Sequence, residues 1–166
     1  MQLDGLLQRR DGAPSATFVR EYRTTAADLW SAVTDPARIA RWFAPVGGDL
    51  RAGGDYEIDF GPGNRTHGTV LACDDGGYRI SWLVEGRPLG EVEVRIRDAA
   101  GGSELAVMHT LLPEDQWIGY AAGWHAHLDS LGAILDPTTP ESAGEFDWDS
   151  TFSAVLPGYR ALAAQV

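Results

Sequence analysis

Residues 113–137 read PEDQWIGYAAGWHAHLDSLGAILDP, and this stretch decides the fold. Trp117, Ala121, Trp124, Leu128, Leu131 and Leu135 recur at intervals of four, three, four, three and four, the apolar stripe of a long amphipathic helix. Pro113-Glu114-Asp115 opens that helix and Asp136-Pro137 stops it. The sixty residues before it keep a different period. Tyr56, Ile58 and Phe60 alternate with acidic residues, and Tyr78, Ile80, Trp82 and Val84 form the next alternating set. Val92, Val94 and Ile96 follow, then Leu105, Val107, His109 and Leu111. Period two in consecutive short runs means strands with one dry face. Turns at Gly61-Pro62-Gly63-Asn64, Asp75-Gly76-Gly77, Glu85-Gly86-Arg87-Pro88 and Gly101-Gly102 separate them. The expectation is an antiparallel meander whose apolar face is covered by the long helix, an α+β architecture.

Working outward toward the N-terminus, residues 5–23 read as a hairpin turning at Asp11-Gly12. Phe18, Arg20 and Tyr22 share a face of its second strand, which places Arg20 among apolar neighbours. Thr25 with Asp28 three residues on is a helix cap, and Leu29, Trp30 and Val33 are the stripe that follows. Asp35-Pro36 starts a second short helix, ending at Trp42-Phe43-Ala44-Pro45. On the C-terminal side, residues 136–145 read as a linker or mobile loop, and residues 146–166 as a tail that packs back. The tail is expected to form one short helix after Pro157, with room for another before it.

This order is uncommon. Strand hairpin, two short helices, long meander and long terminal helix together resemble the helix-grip fold of the START and birch-pollen-allergen class, the SRPBCC superfamily. The strings VREYRTTAADLWSAVTDPARIARWFAP (19–45), GGDLRAGGDYEIDF (47–60) and AAGWHAHLDSLGAIL (121–135) sharpen the likeness. They look like the bacterial branch related to the C-terminal domain of the heat-shock-protein-90 ATPase activator. The resemblance implies a curved antiparallel sheet wrapped around the last helix over residues 1–135. It also implies a cavity between sheet and helix able to hold a lipid-like or aromatic molecule. Relatives in the superfamily include polyketide cyclases and aromatases, lipid or hormone carriers, and co-chaperones. The best-known co-chaperones carry a separate N-terminal domain for which this chain has no room, which argues against that role.

Bulk properties narrow the partners. The formal net charge is −11, and the thirteen basic residues are all Arg and scattered. Nucleic acid and anionic membrane surfaces both require clustered basic residues, so neither is expected. No apolar run approaches a membrane span and the N-terminus has no signal-peptide pattern, so a cytoplasmic location is the default expectation. One cysteine, Cys73, leaves no disulfide or Cys-based metal framework. Six tryptophans suggest a large core or a lined cavity.

Candidate site residues follow from the expected inner faces. Trp42, Tyr56, Phe60 and Trp82 come from the insert and the sheet. Trp117, Tyr120, Trp124 and Leu128 come from the long helix. Each either lines the cavity or fills the core. Arg20 and His109 are the polar candidates: each is an internal hydrogen-bonding group or an anchor for a ligand oxygen, since a buried charge needs a partner. His125 and His127 look like metal bait, but positions two apart project about 200° apart on a helix, whereas chelating pairs are spaced three or four. They are expected to be boundary residues, and neither a metal nor a cofactor is implied. Gly119, Gly123 and Gly132 cost the long helix about 1 kcal/mol each relative to Ala, which suggests close approach by another element or deliberate softness. No nucleophile-elbow pattern occurs, and Gly47-Gly48 and Gly53-Gly54 are expected in turns between strands rather than at strand-to-helix junctions, so they are not phosphate loops. The leading expectation is a module binding a small hydrophobic or amphipathic molecule. The alternatives are a cyclase, aromatase or dehydratase using His109 with Tyr22 or Tyr56, and a homodimeric or chaperone-linked interaction module.

Overall fold

The computed structural model describes residues 2–140 and 144–166. Strands β1 (Leu6–Arg10) and β2 (Ala13–Tyr22) form the first hairpin, and helices α1 (Ala26–Thr34) and α2 (Pro36–Trp42) follow. The meander is β3 (Val46–Gly48), β4 (Asp55–Asp59), β5 (Arg65–Asp74), β6 (Gly77–Val84), β7 (Arg87–Ala99) and β8 (Gly102–Thr110). Helices α3 (Trp117–Leu135) and α4 (Trp148–Ala163) end the chain. The eight strands make one antiparallel sheet in the order β1-β2-β8-β7-β6-β5-β4-β3. The first hairpin therefore docks on the last strand, with Phe18 opposite Val107 and Ala16 opposite His109.

Local chemistry accounts for the turns and caps. Asp11-Gly12 and Glu85-Gly86 all have positive φ, the two-residue hairpin geometry whose twist matches the flanking strands. Thr25 Oγ1 accepts from the Asp28 amide, and Asp35 accepts from the Ala37 amide ahead of Pro36. Bulges in the pairing between Val70 and Ala72, and between Ser81 and Leu83, bend β5 and β6. At Gly68 the strands come so close that a Cβ would overlap the Ser81 carbonyl and the Tyr56 ring. These irregularities curl the sheet around the helices.

Helix α3 lies against the concave face, and its predicted stripe is buried throughout. Trp117 Nε1 donates to the Ser15 carbonyl at 3.0 Å, and Tyr22 Oη donates to the Leu128 carbonyl at 3.2 Å. These two bonds pin both halves of α3 to β2. Helices α1 and α2 close one end of the trough, tied by Trp42 Nε1 to the Ala32 carbonyl and by Tyr78 Oη to the Val33 carbonyl. Each fully buried large side chain in this core contributes about 1.5–3 kcal/mol.

Four local expectations are corrected. Helix α3 begins at Trp117 rather than near Pro113, because residues 113–116 form a turn first. Gly47-Gly48 belongs to strand β3 rather than to a turn. Leu111 is exposed rather than inward: its φ of 56° breaks the alternation, and Leu112 takes the interior position. The tail forms one helix, α4, which runs through Pro157. Pro157 and Ser153, whose carbonyl loses its helical donor, are both exposed, which lowers the cost of an interior proline. The expected loop 136–145 falls partly outside the described residues.

Candidate functional site

The trough is not completely filled. A cavity of about 120 Å³ remains between the sheet and the α1–α2 insert. Its floor is the inner face of β4 to β8, including Ile58, Val70, Val92, Val94 and Val107. Its roof is Val33, Ile39, Trp42 and Phe43, and Trp124 alone reaches it from α3. Two tyrosines supply polar atoms. Tyr56 Oη donates to the Ser81 carbonyl at 2.6 Å and Tyr78 Oη to Val33. Burial raises both phenols, so they stay neutral. Leu50 and Cys73, both exposed, lie at the open rim.

A second space of about 320 Å³ adjoins the first. It lies between the N-terminal half of α3, the β4–β5 turn and the start of α4. Phe43, Trp82 and Trp124 border both spaces and form the wall between them. Phe43 stacks on Trp124 with centroids 5.4 Å apart, and Trp82 approaches Trp124 at 6.0 Å.

His109 is fully buried and faces α3. Trp124 Nε1 donates to its Nδ1 at 3.1 Å, so the ring proton sits on Nε2 and is donated to the Leu89 carbonyl at 2.7 Å. Burial holds the imidazole down to about 4, against a smaller upward pull from the Leu89 carbonyl. Protonating Nδ1 would also set one N–H against another. His109 is thus a neutral imidazole with both nitrogens engaged.

Arg20 sits on the far side of α3 in a compact ion cluster. Its guanidinium binds both oxygens of Asp4 and reaches Asp129 at 2.6 Å. His125, only 3 % exposed, has Nδ1 2.8 Å from Tyr159 Oη and 3.2 Å from Asp4. Burial alone would raise the Asp4 carboxyl, but hydrogen bonds from His125 and Arg20 outweigh it and hold Asp4 well below the usual carboxylate range. His127 is partly buried on another face, its Nδ1 3.4 Å from the Trp42 carbonyl and its ring against Phe43 and Trp148. Burial brings it to about 4. His125 is not the boundary residue expected, because α4 and the N-terminal segment cover its face, whereas His127 keeps part of its surface exposed.

Residues 23–136 match the model of the family described as activator of Hsp90 ATPase homolog 1-like protein. The chain belongs to that family. Among solved structures, it is similar to CalU16 from Micromonospora echinospora, with 30 % identity over 95 % of this chain and 96 % of that one, at a TM-score of 0.78. DynU16, from the dynemicin biosynthetic locus, shares the fold at 22 % identity and a TM-score of 0.65, over 76 % of this chain and 48 % of its own. So does the Aha1 dimer from Colwellia psychrerythraea, at 13 % identity and a TM-score of 0.65, over 76 % of this chain and 98 % of that one. No curated protein matches.

Within this family member the predicted residues divide into three groups. Trp42, Tyr56, Trp82 and Trp124 line the inner cavity. Phe60 and Tyr120 line the outer space, which Trp82 and Trp124 also border. Arg20, His109, Trp117 and Leu128 line neither: the first two are engaged as described, and the last two are core. The sequence reading missed Trp148, Phe152 and His127 in the outer space. The first two lie beyond the family match, on a helix whose docking depends on contacts with Leu3, Gly5 and His125, and no local pattern announces that. Among the described residues, no group of three or more His, Cys, Asp or Glu could hold a metal ion. No described helix is long and apolar enough to cross a membrane.

Proposed function

We propose that the protein binds a small hydrophobic molecule in the inner cavity, as a carrier or sensor rather than a catalyst. The cavity itself carries this reading. Were it sealed, a void of about 120 Å³ would cost up to about 3 kcal/mol at the rate of about 24 cal/mol per Å³, and its open rim lowers that figure. That is a large share of the roughly 5–15 kcal/mol that holds a domain together. A family fold that keeps such a space apolar and unfilled at the centre of its core gains from an occupant. At about 120 Å³ the space is somewhat smaller than the roughly 150 Å³ apolar void that takes a benzene ring, so an occupant of that size would extend toward the open rim. The Tyr56 and Tyr78 oxygens can accept one further hydrogen bond each, which suits a ligand with a hydroxyl.

The acid–base alternative needs a reactive pair open to the cavity. His109 offers no free nitrogen, and Arg20 and its carboxylates lie outside. The relation to DynU16 is compatible with a ligand drawn from secondary metabolism, and likeness to a dimeric Aha1 keeps a homodimer as the interaction alternative. Cys73 at the rim provides a test. Native mass spectrometry of protein from its own host should show a bound small molecule. Adding that molecule back to stripped protein should slow alkylation of Cys73. Protein that is always empty, with Cys73 equally reactive under an apolar and hydroxylated panel, would sink the proposal.

A further inference from the structure

The outer space has a built character that packing does not explain. Gly119 and Gly123 both line it. A Cβ on Gly119 would meet nothing within 4 Å, and one on Gly123 would meet only the Trp148 ring at 3.8 Å, an ordinary contact. Neither glycine has the positive φ that would exclude a side chain. Each costs helix α3 about 1 kcal/mol relative to Ala. No neighbour requires them, and any larger side chain at either position would take up the chamber. Its volume of about 320 Å³ stands at the lower end of the range that holds small organic ligands, about 300–1,000 Å³.

The walls state what would fit. Phe60 and Trp82 stand on one side, and Trp148 and Phe152 on the other, the latter two stacked at 4.8 Å with planes 14° apart. The lining includes no Asp, Glu, Lys or Arg, and burial keeps His127 neutral above about pH 4. A charged group placed among these walls would lose hydration and find no counter-ion in the lining. Among the aromatic walls themselves, two donors are unspent. Tyr120 Oη accepts from Trp82 Nε1 at 3.0 Å, and its own proton has no acceptor among the described residues. Accepting that bond polarises the hydroxyl as a donor. Trp148 Nε1 is buried with no partner among the described residues.

We propose that this chamber, completed by α4, is a second binding site, for an uncharged flat aromatic molecule of two or three fused rings that carries a hydrogen-bond acceptor such as a ketone. The rings lie among the aromatic walls, and Tyr120 donates to the acceptor. The site is separate from the inner cavity across the Phe43–Trp82–Trp124 wall, and does not depend on that cavity being occupied.

The test compares 2-acetylnaphthalene with 2-ethylnaphthalene, which lacks the acceptor, by calorimetry on the full chain. The ketone should bind more tightly, and Tyr120→Phe should remove that advantage, a change of about 2- to 10-fold for one neutral hydrogen bond. Gly119→Leu should abolish binding of both probes while leaving the urea midpoint unchanged or higher, since it fills open space. Trp148→Ala should weaken both by about 10-fold through lost stacking and buried area. Val94→Leu, in the inner cavity, should leave both affinities unchanged. The proposal is overturned if neither probe binds, if Gly119→Leu and Trp148→Ala leave binding intact, or if Val94→Leu abolishes it, which would place the ligand in the inner cavity.

Discussion

At His109 a single imidazole shows how burial and hydrogen bonding decide a role that residue type leaves open. Alternation along β8 put it on the inner face, and that placement holds. Its partners are non-local: Trp124 lies on α3 and Leu89 on β7, so no pattern around residue 109 could show that both nitrogens are taken. The engaged, neutral ring has a consequence for stability. In the unfolded chain His109 titrates near 6.5, and in the fold burial holds it at about 4. Between those values the unfolded state binds a proton that the native state does not, so stability rises with pH across this window. The contribution is full above about pH 6.5 and disappears as pH falls to about 4. It amounts to roughly 3 kcal/mol for His109, with a smaller share from the partly exposed His127, which shifts in the same direction. Urea unfolding at pH 7.5 and 4.5 should show this loss. His109→Gln should be less stable at pH 7.5 but lose markedly less on acidification. An equal loss in that variant would place the titrating group elsewhere.

At the scale of elements, the parts legible in sequence are those whose signals are local. The α3 stripe, the two caps at Thr25 and Asp35, and the alternation from Tyr56 to Val107 depend on neighbours a few residues apart. Helix α4 is a different case. Its place is set by Tyr159, which is fully buried. Tyr159 Oη accepts from the Gly5 amide at 3.1 Å and bonds His125 at 2.8 Å. One hydroxyl thus joins the N-terminal segment, α3 and α4, with a sequence separation of 154 between Gly5 and Tyr159 itself. The Arg20 cluster beside it explains why an arginine stands among apolar residues on β2: it neutralises Asp4 from the segment and Asp129 from α3. Tyr159→Phe should cost about 1–3 kcal/mol, because it strands the buried Gly5 amide and leaves His125 Nδ1 with Asp4 alone. Hydrogen exchange should quicken together at residues 4–6 and along α4, with little change in β5 to β7. Arg20→Met should also destabilise, by about 2–4 kcal/mol, since it leaves two carboxylates facing each other. Its ligand affinities should match those of the wild type. Unchanged exchange in α4 of the Tyr159 variant would mean that apolar contacts alone hold the helix.

For the molecule as a whole, the question is why a core so rich in aromatics stays unfilled. Curvature from the β5 and β6 bulges bows the sheet away from α1 and α2, and Trp124 is the only α3 side chain to reach into the gap. The composition anticipated a lined cavity, but where it lies could not be read from it, because the bulges have no sequence pattern of their own. The expected position was beneath the last helix; the apolar space lies chiefly beneath the insert. If that space is kept for a ligand, filling it should strengthen the empty protein and weaken its response to an occupant. Val94, buried on the cavity floor, is the position to change. Val94→Leu adds one methylene to open volume, and should raise the stability of the ligand-free protein by up to about 1 kcal/mol, the value of one buried CH₂ group. The wild type should gain about 2.7 kcal/mol from its ligand at a hundred times Kd, and the variant much less at the same concentration. Thermal unfolding with and without ligand measures both. A variant that is less stable when empty would show that the site cannot accept the added group. A variant that keeps the full ligand shift would show that the inner cavity is not where that ligand binds.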